Sequence, residues 1–249
     1  MRVTPHVVQQ TRWSGLFSEQ TIRFFSVSSL LLLILSVSGS AQAPGSSPSS
    51  SSTNVDKNRQ TPSEGIQKRD NEWGVWGGIS FNSTTLLGKT PNVKFGNIGL
   101  RYGRVLKTSK TVAFEWTIDV IPVSVLSNPR PEVTSAGPGF TITSLVRHSV
   151  YGFGAAPIGW KLNFRRNRRV QPFGQATGGF LYFNEQAPVN DSSRFNFTFD
   201  FSGGVQIVNS NRRSFTIGYK YQHISNGYTG TFNPGVDVQM IFAGFSVFK

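Results

Sequence analysis

RFNFTFDFSGGVQIV, residues 194–208, decides the fold. Phe195, Phe197, Phe199 and Phe201 alternate with Asn196, Thr198, Asp200 and Ser202. A strand converts that period of two into an aromatic face and a polar face. A soluble lipocalin-like barrel or β-sandwich would bury the aromatics inside. A membrane barrel turns them to lipid and keeps the polar groups in its lumen. The surrounding chain favours the second arrangement.

Seven further segments carry strand character: 73–81, 96–106, 111–121, 149–162, 170–183, 214–225 and 237–248. Most run ten residues or more, longer than the roughly five or six of an ordinary strand and suited to the about 9–11 of a tilted spanning strand. No amphipathic helical period interrupts them. The connections alternate in length. KTSK, NFRRNRR and NSNRR are short, whereas 82–95, 122–148, 184–193 and 226–236 are long. Short turns at one end, long loops at the other and an even strand number predict an all-β, eight-stranded antiparallel transmembrane β-barrel of the bacterial outer membrane. Eight strands leave no conducting pore. Gly99, Arg101 and Gly103, with Glu115, Thr117 and Asp119, predict a narrow lumen filled by polar pairs.

The N-terminal part fits an exported protein. Arg2, Arg12 and Arg23 precede the apolar run 24–37 and the small residues SGSA, the pattern of a signal peptide over 1–41. That run is shorter than the roughly 20 residues a spanning helix needs. Residues 42–71 are Ser/Pro-rich, poor in large apolar side chains, and read as a disordered linker ahead of the barrel at 72–249. The sequence contains no cysteine, so no disulfide supports the fold. The net charge is +13. Lys107, Lys110, Arg165, Arg166, Arg168, Arg169, Arg212 and Arg213 all fall in or beside the short turns. Basic turns beside anionic headgroups account for this charge better than nucleic acid, which is not an expected partner.

The hairpin HISNGYTGTFNPGVD, 223–237, carries the chemistry. Strand parity sets Phe215, Ile217, Tyr219, Tyr221, His223 and Ser225 on one outward face. Asp237 starts the face that continues through Gln239, Ile241, Ala243 and Phe245. His223, Ser225 and Asp237 are therefore expected together at the extracellular rim of a lipid-facing stripe. Ser225 can serve as nucleophile, His223 as base and Asp237 as the group that orients the imidazole. Asn226 and Gly227, through backbone or the Asn226 side chain, are candidate oxyanion donors. Phe215, Ile217, Tyr219, Tyr221, Ile241 and Phe245 would meet acyl chains. The bland alternative is an interfacial His beside a loop Ser. No metal-ligand cluster is visible, and His148 reads as interfacial or structural.

The same hairpin resembles the active-site segment of the PagL-type lipid A 3-O-deacylases, whose pattern is approximately H-x-S-N-[AG] followed by N-x-G-[IV]-E. His223, Ser225, Asn226, Gly227, Asn233, Gly235 and Val236 match it, and Asp237 stands where the family has Glu. The resemblance implies an outer-membrane serine esterase that needs no cofactor. It would remove the 3-O-linked acyl chain from lipid A or lipopolysaccharide in the outer leaflet. Two other functions fit the residues: an esterase for another envelope lipid, and a non-enzymatic barrel for adhesion or envelope stability. Oligomeric state is not legible.

Overall fold

The computed structural model describes residues 65–137 and 139–249, so the expected signal peptide and most of the expected linker lie outside the described residues. The elements are β1 (Asn71–Ser80), β2 (Ser83–Thr84), β3 (Lys94–Thr108), β4 (Val112–Gly137), β5 (Phe140–Phe164), β6 (Val170–Phe183), β7 (Phe195–Val208), β8 (Arg213–Ser225) and β9 (Val236–Phe248). The eight long strands pair antiparallel in chain order, and β1 closes on β9. The two-residue β2 continues the β1 side of that seam, with Ser83 opposite Val238 and Thr84 opposite Asp237. The chain is an eight-stranded antiparallel outer-membrane β-barrel.

Side-chain parity is as β7 predicts. Phe197, Phe199 and Phe201 are exposed on the outer wall, while Asn196, Thr198 and Asp200 are buried inside. Val75, Leu100, Tyr151, Phe153, Ile217 and Ile241 extend the outer apolar surface. Such a surface is stable only against lipid.

The lumen is occupied by paired charges. Lys161 Nζ lies 2.7 Å from Glu72 Oε2 and 3.6 Å from Glu115 Oε2. Arg101 grips Asp119 with Nε and Nη2 at 2.8 and 2.7 Å and donates to Gln175 at 2.8 Å. Lys220 sits 3.3 Å from Asp200 and 4.1 Å from the Trp76 ring centre. Paired and hydrogen-bonded ions tolerate burial that isolated ions do not.

Three expectations are corrected. The lumen is not polar throughout: Phe95, Leu126, Leu181, Phe183, Ile224 and Met240 belong to a buried apolar cluster toward the end that carries the β8–β9 connection. The segment 122–148 is not a loop but the continuation of β4 and β5 into a paired hairpin, from Asn128 opposite His148 to Gly137 opposite Phe140. Its prolines hid it. Beyond Ser127, among the described residues, only β4 and β5 remain paired, so Pro129 and Pro131 lack an N–H where outer edges need no partner. Pro122 and Pro157 fall at register shifts, where a missing donor also costs little. Finally, the expected linker ends in ordered structure. Ile66 is buried with Val105, Ala113 and Phe248, and its N–H donates to the Arg166 carbonyl at 3.2 Å.

The buried cluster around Lys161 gives a direct stability test. Lys161→Met leaves Glu72 and Glu115 without their shared cation, and losing one partner of a buried pair costs about 3–5 kcal/mol. The urea unfolding midpoint of the barrel in lipid is expected to fall accordingly; an unchanged midpoint would contradict the role given to Lys161.

Candidate active site at the barrel rim

β8 and β9 are joined in register, with Tyr219 opposite Ile241, Tyr221 opposite Gln239 and His223 opposite Asp237. On its other side, β8 sets His223 opposite Phe199 and Ser225 opposite Phe197. Between them, Ile224 points inward and is fully buried beside Val236 and Val238. Burial of Ile224 therefore turns its two neighbours outward together, because successive strand side chains alternate. His223 and Ser225 are both half-buried on the wall.

The register brings one expected pair into contact: His223 Nδ1 lies 2.6 Å from Asp237 Oδ1. With Nδ1 donating to the carboxylate, Nε2 carries the free lone pair. The imidazole also packs against Phe199, ring centres 5.1 Å apart. No hydrogen bond joins Ser225 to His223 among the described residues. Nucleophile–base contacts often tighten only when substrate is bound.

Asp237 shares the outer face but does not meet lipid; it is fully buried. The segment between β2 and β3 folds over it, and Oδ2 accepts the N–H groups of Leu87 at 2.6 Å and Gly88 at 2.9 Å. Local sequence held no signal of this, since the partners are about 150 positions away. The same turn exposes the Leu86 and Leu87 side chains.

The oxyanion candidates part company. Asn226 is fully buried and engaged in holding the loop. Its N–H donates to Asn233 Oδ1 at 3.1 Å, its Nδ2 to the Phe232 carbonyl at 2.8 Å, and its Oδ1 accepts from Tyr228 N–H at 2.9 Å. The Asn226 backbone donor, expected to face substrate, is therefore occupied. The Gly227 N–H has no acceptor among the described residues. Phe215, Ile217, Tyr219, Ile241 and Phe245 are exposed below the site, and Tyr221 is half-buried. Phe197 and Phe199 flank it on the far side, an addition that β7 alternation already contained. His148 lies elsewhere, 2.8 Å from Glu185.

Gly235 adopts φ +61°, and a Cβ there would stand 3.1 Å from His223 Cε1. Gly235→Ala is expected to strain the turn and push the ring from Asp237. The Nδ1–H proton resonance of His223 should then disappear from the spectrum of the folded barrel; its persistence unchanged would refute this packing.

A search of curated protein sequences finds no match. Among solved structures, the outer membrane enzyme PagL superposes with a TM-score of 0.49 at 15% identity, covering 69% of this chain and 97% of that one. Neisserial surface protein A gives 0.40 at 14%, covering 71% and 96%. OprG from Pseudomonas aeruginosa gives 0.40 at 11%, covering 74% and 96%. The family profile described as lipid A 3-O-deacylase (PagL) matches residues 142–246. Over that segment, which holds His223, Ser225 and Asp237 together, the chain is similar to the PagL lipid A 3-O-deacylases.

Proposed function

We propose that this barrel is an outer-membrane serine esterase that releases the 3-O-linked acyl chain of lipid A at its extracellular rim. The observation that carries the reading is the 2.6 Å His223–Asp237 contact beside Ser225, on the lipid-facing wall. A membrane lipid reaches this wall sideways, without entering the packed lumen. The exposed stripe of Phe215, Ile217, Tyr219, Ile241 and Phe245 leads down from the site, where acyl chains lie.

The chemistry follows from these positions. Nε2 of His223 takes the Ser225 proton as Oγ bonds to the ester carbonyl carbon. Asp237 holds the tautomer and stabilises the imidazolium that forms. The tetrahedral oxyanion accepts from the Gly227 N–H, while Asn226 keeps the loop in shape. Collapse breaks the bond to the sugar 3-oxygen, which leaves as a hydroxyl with the proton from Nε2. Water, deprotonated by His223, then hydrolyses the acyl–Ser225 ester and frees the fatty acid. No cofactor enters this scheme.

Lipid A from cells expressing wild type should lose one ester-linked acyl chain by mass spectrometry. Ser225→Ala should retain it, with the rate of release reduced by about 10³-fold or more and the barrel still heat-modifiable. Identical lipid A from both, with no ester cleaved by purified protein, points to a non-enzymatic barrel. Release from phospholipid instead of lipid A assigns a different envelope lipid.

A further inference from the structure

We propose that the Leu87 and Gly88 peptide groups are a positioning clamp for Asp237, supplied by the segment between β2 and β3, and that this clamp is matched to aspartate. The inference rests on the esterase reading of Ser225, His223 and Asp237.

Both carboxylate oxygens are committed. Oδ1 meets His223 Nδ1 at 2.6 Å, while Oδ2 takes the N–H groups of Leu87 and Gly88 at 2.6 and 2.9 Å. A carboxylate fixed at both oxygens cannot rotate, so the imidazole it orients inherits the placement. The clamp is itself tied to the catalytic hairpin. Lys89 N–H donates to the Pro234 carbonyl at 2.6 Å, and Thr90 donates to the Gly235 carbonyl through N–H at 3.2 Å and Oγ1 at 2.8 Å. Ser83 Oγ closes the base, donating to the Thr90 carbonyl at 2.8 Å and accepting Val93 N–H at 3.0 Å. One peptide segment thus registers the acid and the turn that packs against His223.

The approach is too close for a side chain. A Cβ on Gly88 would fall 2.7 Å from the Val236 nitrogen and 2.8 Å from the Gly235 carbonyl carbon. The same tightness explains aspartate at 237. Leu87 and Gly88 already contact the shorter carboxylate, so a further methylene has no space between strand and clamp unless the clamp moves. The structure therefore assigns Gly88 and Asp237 as a matched pair, and restoring the glutamate of the resembled family should harm this protein.

The test uses the full barrel in lipopolysaccharide-containing vesicles and measures kcat and KM for acyl release from lipid A. Gly88→Ala is expected to lower kcat by about tenfold or more with KM nearly unchanged, as misplacement of a catalytic group does. Asp237→Glu should lower kcat in the same way. The His223 Nδ1–H resonance should be lost in Gly88→Ala and kept in Ser225→Ala, which separates positioning from general destabilisation. Should Gly88→Ala not fold, Thr90→Val loosens the clamp without touching Asp237 and should still lower kcat severalfold. Wild-type kcat with a retained resonance in the folded variants overturns the clamp, as does full activity in Asp237→Glu. A wild type that cleaves no lipid ester overturns the esterase reading itself.

Discussion

Closing eight strands into a ring leaves every strand residue one of two destinations, lipid or lumen, and the rest of the molecule depends on that division. The β1–β9 seam removes the open edges that would otherwise bind another chain. It also fixes the register of every pair around the ring, because a slip of one residue would exchange the two faces. Phenylalanines of β7 can then lie outside while Asp200 lies inside with Lys220. Inside the narrow barrel Lys161 pairs with Glu72 and Glu115, and Arg101 pairs with Asp119.

The candidate site follows from the same division. A filled lumen leaves chemistry only the rim or the outer wall, and the β8–β9 register sets His223 and Asp237 side by side there. Wall placement suits a substrate dissolved in the bilayer, since such a substrate need not leave lipid to reach Ser225. Ile224, buried between His223 and Ser225, turns both side chains to the outer wall together. The Asn226–Asn233 contact closes the loop above them. In the proposed scheme, positions shared with the resembled family thus divide into those that react and those that hold the turn.

Much of this was legible because a strand's period is short and strict. Phe195 to Ser202 announces its faces without any partner, and counting by twos places His223 with Ser225 and predicts Asp237 beside them. What escaped depends on contacts distant in sequence. Pro129 and Pro131 read as loop because the local rule forbids proline in a ladder; only the loss of neighbouring strands beyond Ser127 makes them tolerable. Ile66 reads as linker because a lone apolar residue among polar ones is uninformative until the strands that bury it are known. Asp237 reads as exposed because the Leu87 and Gly88 amides that cover it lie across the closing seam.

In the proposed reading Ser225 is the nucleophile of a lipid-facing ester hydrolase. The most direct measurement of that role is peptide mapping by mass spectrometry after the barrel, in lipid vesicles, is treated with a long-chain fluorophosphonate. A single phosphonylated residue is expected, Ser225, with labelling lost when His223 is replaced by Ala and ester hydrolysis lost as the label accumulates. Ester hydrolysis that persists with Ser225 unmodified, or labelling that ignores His223, would contradict it.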